Sequence, residues 1–329
     1  MGYDSQNNLS VGTKLRPVLE TVELLGYKPI KDNLSVPNRV GCYFWYDEKD
    51  YKSWSGVNLD VYKNEGLITI EIGSRISGSY WDLTHQNKTL RLMRDLFGGH
   101  FSTSFGRNRY WRLDDPPPSP VSSGCYLARW HFHNAQAKAH IYLMTRKLEG
   151  EITREKSTGL EFMDEMNPRL LSNNLLIPYV IAIWEEYFRS TFAVAIKYVD
   201  NRDSVLKKIR LNNAQLKQIA EKQKPIEQII SECFSFQRPS LITQNFKMLD
   251  NNIDIAAALR KPYRSRKLTL YDSIEALVEG RNDFVHTGKM DLTLYDRELE
   301  RHLVDIVEAI DRAYGVMGSC FDFIPIHDY

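Results

Sequence analysis

The 329-residue chain has few cysteines, no excess of either charge and no long apolar run. Its four cysteines, Cys42, Cys125, Cys233 and Cys320, show no Cys-x2-Cys spacing, so neither a zinc site nor a disulfide framework is indicated. Forty-three Lys+Arg against forty-two Asp+Glu leave a net charge of +1. Any nucleic-acid-binding surface must therefore come from local clustering and not from bulk charge. No apolar stretch approaches the roughly 20 residues that span a bilayer. The start, Met1-Gly2-Tyr3-Asp4-Ser5-Gln6, lacks the basic and apolar regions of a signal peptide. Neither a Gly-rich phosphate loop nor a nucleophile elbow occurs. These absences lead us to expect a reduced, cytoplasmic protein with no membrane contact, no metal and no cofactor.

What is present is a globular balance, 43% hydrophobic and 26% charged, at a length that accommodates two domains. Residues 1–150 read as an α+β domain, an antiparallel sheet with helices on one face. Lys14 to Gly26 carries a helical apolar stripe with a glycine stop. Short β-like runs follow at Val40–Tyr46, Val57–Tyr62 and Leu67–Ile72, the last two joined by the hairpin turn Lys63-Asn64-Glu65-Gly66. Thr84 to Phe97 reads as a helix. After it come a short strand near Tyr110-Trp111, a proline-rich loop from Asp114 to Gly124, and a hairpin from Cys125–Phe132 and Ala139–Met144. Residues 151–166 read as a linker.

Residues 167–329 read as an all-α bundle. Leu171–Tyr198 is strongly apolar, and Pro178 is expected to start or kink its helix. Further helices are expected over Asp203–Lys222, Pro225–Phe234, Leu241–Arg260, Ser273–His286 and Tyr295–Met317.

The most informative stretch is Glu279-Gly280-Arg281-Asn282-Asp283-Phe284-Val285-His286-Thr287-Gly288. Arg281 is seven residues after Ile274 and four after Leu277, which places it on the apolar stripe, where a charge needs a partner or a purpose. Asn282 and His286 are four apart and share a neighbouring face. Thr287-Gly288 then stops the helix. Arginine is a permanent cation that grips phosphate with a two-pronged fork, and histidine moves protons near neutral pH. The plainer reading pairs Arg281 with a buried carboxylate such as Glu185 or Glu186, and leaves His286 as a helix-end cation favoured by the macrodipole. Two similar strings, Arg297…His302 and Arg94…His100, lie on a charged helix face and at a glycine-ended helix terminus. Upstream, Arg260, Lys261, Arg264, Arg266 and Lys267 surround Tyr263 with no acid between them. This basic loop suits single-stranded RNA or is an ordinary solvated loop.

The stretch resembles the Arg-x4-His motif of the HEPN superfamily of ribonucleases, and Leu176-Ile177-Pro178-Tyr179 through Trp184-Glu185-Glu186 resembles the opening helix of those domains. The resemblance implies a metal-independent endoribonuclease that cleaves RNA by attack of its own 2′-OH. Arg281, His286 and Asn282 would be the catalytic residues, shared across a homodimer interface, with Glu185 and Asp283 orienting them. It also implies a toxin or anti-phage effector of the RNase LS type, with RNA and an antitoxin or trigger protein as partners. A non-catalytic HEPN-like dimerisation or partner-binding protein is the alternative. Two other enzyme signals lie in the N-terminal half. Asp60 and Glu71 resemble the acids of restriction-type nucleases, with Gly73 where that family needs Lys. His131, His133 and His140 would share one face of the expected hairpin.

Overall fold

The computed structural model describes residues 2–31, 36–113, 116–148, 156–200 and 202–326. Two units, Met1–Ser123 and Gly124–Ile326, account for it.

Two-residue alternation builds the first unit. In β4 (Val57–Asn64) and β5 (Leu67–Arg75), Val57, Leu59, Val61, Ile68, Ile70 and Ile72 are buried, while the residues between them stay more open. Glu65 and Gly66 turn the hairpin at φ 44° and 87°, the left-handed backbone that a two-residue connection requires. With β1 (Gly2–Asn8), β2 (Lys28–Pro29), β3 (Arg39–Trp45), β6 (His100–Thr103) and β7 (Gly106–Arg107), they form an antiparallel sheet in the order β2-β3-β4-β5-β1-β6-β7. Both edge strands are only two residues long, which limits edge-to-edge pairing. Helices α1 (Leu15–Leu24) and α2 (Tyr80–Phe97) supply Val18, Val22, Leu90 and Met93 to the same core.

The interior strand β1 has no apolar alternation, because its inward positions are polar and individually bonded. Ser5 Oγ donates to Ile72 O at 3.0 Å and Asn7 Nδ2 to Leu90 O at 3.3 Å. Gln86 Nε2 on α2 reaches Tyr3 O at 2.7 Å. Tyr110 and Trp111 form no strand; Asn87 clamps the Trp111 backbone with bonds of 2.9 and 3.0 Å.

The second unit corrects the expected hairpin. Residues 120–148 form one helix, α3 (Pro120–Leu148), and the proline-rich loop ends before it. Residues 114 and 115 of that loop lie outside the described residues. Ala128, Phe132, Ala139 and Leu143, spaced four, seven and four apart, enter the helical core. By its packing α3 from Gly124 onward belongs with the helical unit, Gly124–Ile326. Of the expected linker, 151–155 lie outside the described residues, and a short helix α4 (Glu161–Glu165) occupies part of the rest.

Helix α5 (Pro168–Tyr198) runs unbroken through Pro178. An interior proline costs roughly 3 kcal/mol. Burial of Ile177, Ile181, Trp184 and Phe188 around it, at about 1.5–3 kcal/mol for each large apolar side chain, outweighs that loss. Short helices α6 (Arg202–Leu206), α7 (Asn213–Ala220), α8 (Ile226–Ser231), α9 (Pro239–Phe246) and α10 (Ile255–Arg260) follow. The long pair α11 (Leu270–Thr287) and α12 (Asp296–Cys320) closes the bundle. Among the described residues no helix is long and apolar enough to cross a membrane.

Candidate functional site

Helix α11 begins with a capping box. Thr269 Oγ1 accepts from the Asp272 amide at 3.2 Å, and Asp272 Oδ2 accepts from the Thr269 amide at 3.1 Å. The Thr269 hydroxyl also donates to Asp272 Oδ2 at 2.7 Å, and this bond first, then the one from the Thr269 amide, holds the Asp272 carboxyl below its usual range. The stripe Leu270, Ile274, Leu277 and Val278 is buried against the core. Ser273 Oγ donates to Asp305 Oδ2 of α12 at 2.7 Å. Arg238 pairs with Glu275 and, at 3.6 Å, with Glu279. Gly288, at φ 73°, ends the helix, and its amide bonds to Phe284 O at 3.0 Å.

The chain beyond α11 is fixed to α5. Asn174 Nδ2 donates to Asp291 O at 3.1 Å, and its Oδ1 accepts from the Asp291 amide at 2.8 Å. Asn173 Nδ2 donates to Leu294 O at 2.8 Å. Asp296, at the start of α12, bonds Arg146 of α3 and Asn173, and pairs with Arg169 at 3.2 Å. The clamp residues Asn173, Asn174, Arg146 and Arg169 are all buried. The end of α11 is therefore anchored by a polar network whose members the sequence reading did not single out. Their only signal there was their position: Asn173 and Asn174 interrupt an otherwise apolar helix.

On this scaffold the inward stripe runs out of the core after Val278. The next two positions on it are Arg281, half-buried, and Val285, 48% exposed. Arg281 Nη1 donates to Asn282 Oδ1 at 2.8 Å, while its Nε is buried without a hydrogen-bond partner among the described residues. Glu185 and Glu186 pair instead with Arg189 of their own helix, at 3.6 and 2.7 Å. Among the described residues no ion pair joins either one to Arg281. Asn282 is half-buried, and Asp283 and His286 are exposed. Arg281 and His286 lie five residues apart, about 7.5 Å along the helix and about 140° around it, so one chain presents them on different faces. The same end of the unit also exposes Leu171 (45%) and Leu175 (57%), which flank the clamp residue Asn174.

The basic loop divides into two roles. Arg260 stacks on Tyr271 at 3.9 Å, and Arg266 forms a two-pronged pair with Asp305, 3.1 Å on one arm. Lys261, Arg264 and Lys267 are exposed.

The remaining candidates separate in space. His131, His133 and His140 sit on α3, where His133 and His140, seven apart, lie on one face and His131, two residues before His133, points about 160° away from it, so the three share no single face. His133 lies 3.9 Å from Asp311. Asp60 and Glu71 are directly opposed on the open face of the first unit's sheet, with Arg39 3.4 Å from Asp60. Of the two similar strings, Arg297 is exposed, and His302 is half-buried with its pKa lowered by burial and then by Arg301. Arg94 bonds Asp95 at 3.1 Å, and His100 lies in β6.

Residues 153–315 match the family model described as RiboL-PSP-HEPN, which supports HEPN superfamily membership for the helical region. No curated protein and no solved structure matches the chain.

Proposed function

We propose that the helical unit is a metal-independent endoribonuclease whose site is completed by a second copy of the chain. The observation that carries this reading is the end of α11. A half-buried arginine without a carboxylate partner among the described residues follows the core stripe, and His286 stands exposed a turn later. A two-fold axis at that end would set each residue beside its mate. It would also cover Val285, Leu171 and Leu175, apolar groups that a partner surface would bury.

In the reaction, one His286 takes the proton of an RNA 2′-OH as the oxygen attacks the adjacent phosphorus. The partner's His286 gives a proton to the departing 5′-oxygen, leaving a 2′,3′-cyclic phosphate. Arg281 neutralises charge on the non-bridging oxygens, and the Asn282 contact sets the angle of its guanidinium. Asp283 would act through these residues, whereas Glu185, paired with Arg189, has no ion pair to Arg281 among the described residues. The first unit would recognise a trigger or antitoxin, and the whole would serve as a toxin or anti-phage effector, a role that rests on the HEPN resemblance.

A non-catalytic dimerisation protein is the second reading, favoured by the separation of Arg281 and His286 within one protomer. Substitution decides between them. His286→Ala and Arg281→Ala are each expected to lower RNA cleavage by about 10²–10⁴, with His302→Ala and His100→Ala close to wild type. Wild-type cleavage by His286→Ala would rule out the assignment.

A further inference from the structure

Two helices of the second unit are apolar on two sides. Helix α5 sends Ile177, Ile181, Trp184 and Phe188 into the core. On a face turned roughly 130° from this one, its first half carries Leu171, Leu175, Pro178 and Ala182 at spacings of four, three and four. Leu171, Leu175 and Ala182 are exposed and Pro178 is half-buried. Helix α3 packs Phe132, Ala139 and Leu143 inward. Its outer side carries Ala137, Ile141 and Met144, spaced four and three apart, with Ile141 59% and Met144 50% exposed. A helix that is apolar all round belongs in an interior, and alternating spacings of four and three make the seam by which helices pair.

The two stripes lie on neighbouring helices that run antiparallel. Tyr179 OH of α5 donates to Ala135 O of α3 at 2.7 Å, and Arg146 Nη2 of α3 donates to Asn173 Oδ1 of α5 at 2.8 Å. Between these two ties Ile141 stands level with Leu175. Helix α4 leads into α5 and exposes Phe162 (66%) and Met166 (82%). Asn174, beside Leu175, holds the chain that leaves α11, which brings Val285 to the border of the same surface.

The area decides what this surface can hold. At roughly 150–200 Å² for a fully exposed large side chain, Leu171, Leu175 and Val285 present only about 250 Å². With Ile141, Met144, Phe162 and Met166 the total is on the order of 700 Å². The largest apolar patch of a typical monomer is about 300–600 Å², and a stable pairing buries about 800 Å² on each partner. The end of α11 alone is therefore too small to hold two copies together, whereas the surface that includes α3 and α4 approaches the required size. Charge points the same way. Arg146 and Lys147, the cations that end α3, are taken by Asp296 and Glu300, and the stripes themselves are uncharged, so the surface suits another apolar face and not nucleic acid. Interfaces between identical chains are the more apolar kind.

We propose that the second copy docks on the outer faces of α3 and α5 together with α4, and that the composite site at the end of α11 is assembled only when α3 takes part. Helix α3 lies ahead of the matched residues 153–315, so dimerisation depends on a helix outside the family region. The choice of a second copy as occupant rests on the ribonuclease reading, whose site needs two chains; the covering of the surface rests on its apolar area.

The full chain is sedimented at micromolar concentration and compared with Ile141→Glu and Leu175→Glu. Both side chains are exposed in the single chain, so thermal melting should match wild type, and Ile141→Ser serves as a milder variant if the glutamate lowers it. Leu216→Glu, on α7 and equally exposed at 50%, is the control. Wild type and the control should be dimers. Each stripe variant should dimerise at least about 10²-fold more weakly, because a two-fold interface buries the new charge twice, and its RNA cleavage per chain should recover as concentration is raised. Stripe variants that dimerise as wild type does, or a wild-type chain that stays monomeric with and without RNA, overturn the proposal. So does a monomer that binds phosphatidylglycerol vesicles through Ile141 and Leu175, which would make the surface a membrane contact. A wild-type dimer that is broken by the stripe variants but cleaves no RNA keeps this interface and removes the ribonuclease reading. Cleavage by wild type with stripe variants still dimeric does the reverse.

Discussion

Replacing Asn174 with alanine tests whether the end of α11 is held in place or merely stops there. The Asn174 side chain makes three bonds: to Leu170 O at 2.9 Å within α5, and the pair to the Asp291 backbone at 3.1 and 2.8 Å. Alanine keeps the helix and removes both links to the loop that follows His286. Each such bond contributes about 1 kcal/mol net. Asp291 is exposed, so water can re-bond its freed groups, and the expected loss is about 2 kcal/mol, without the larger penalty of stranded buried groups. The effect on cleavage should exceed the effect on folding, since a displacement of about 1 Å at reacting groups can cost about 10²-fold in rate. Urea denaturation gives the first number and initial rates on a saturating RNA substrate, measured well below the unfolding midpoint, give the second. A variant that loses less than about 0.5 kcal/mol, the scatter of neutral surface changes, and cleaves at the wild-type rate would show that the clamp positions nothing.

Three further outcomes are expected. His85, buried and stacked on Trp45 at 3.8 Å, has its pKa pushed down to about 3 by burial and then by Lys88. It stays neutral in the fold but binds a proton when unfolded below about pH 6.5. The first unit should therefore lose about 2 kcal/mol as pH falls from 7 to 5, seen as a falling urea midpoint by tryptophan fluorescence, and His85→Phe should remove that slope. A fragment starting at Pro120 should fold with a cooperative melt, whereas one starting at Asn167 should not, because it lacks Phe132, Leu143 and the Arg146 bond to Asp296; equal melts would return α3 to an accessory role. Sedimentation at micromolar concentration should show a dimer of the helical unit, and a strict monomer with and without RNA would remove the composite site.

Much of this architecture was legible wherever one period dominated. The β4–β5 hairpin declared itself through alternation and through Glu65-Gly66, and α5, α11 and α12 through long stripes. Strand β1 was hidden because its inward residues, Ser5 and Asn7, are polar and become acceptable only through partners more than sixty positions away. Helix α3 was misread because Trp130 to His133 alternates aromatic and histidine. Over four residues a strand and a helix give the same pattern, and only the wider spacing of Phe132, Ala139 and Leu143 separates them. At the site, the sequence located Arg281, Asn282 and His286 on one helix end. It could not show that Arg266 is consumed by Asp305, since that depends on which helix faces which.

The central claim is tested most directly by the ends of the RNA products. Purified full-length protein is incubated with RNA in EDTA, and the fragments are probed for 2′,3′-cyclic phosphate. Cleavage with cyclic ends, lost in His286→Ala and absent on DNA of the same sequence, is the expected result. Fragments with 5′-phosphate and 3′-hydroxyl ends, or equal action on DNA, would contradict it, because neither can arise from attack by the RNA's own 2′-hydroxyl, and cleavage that stops in EDTA would contradict the metal-independent mechanism.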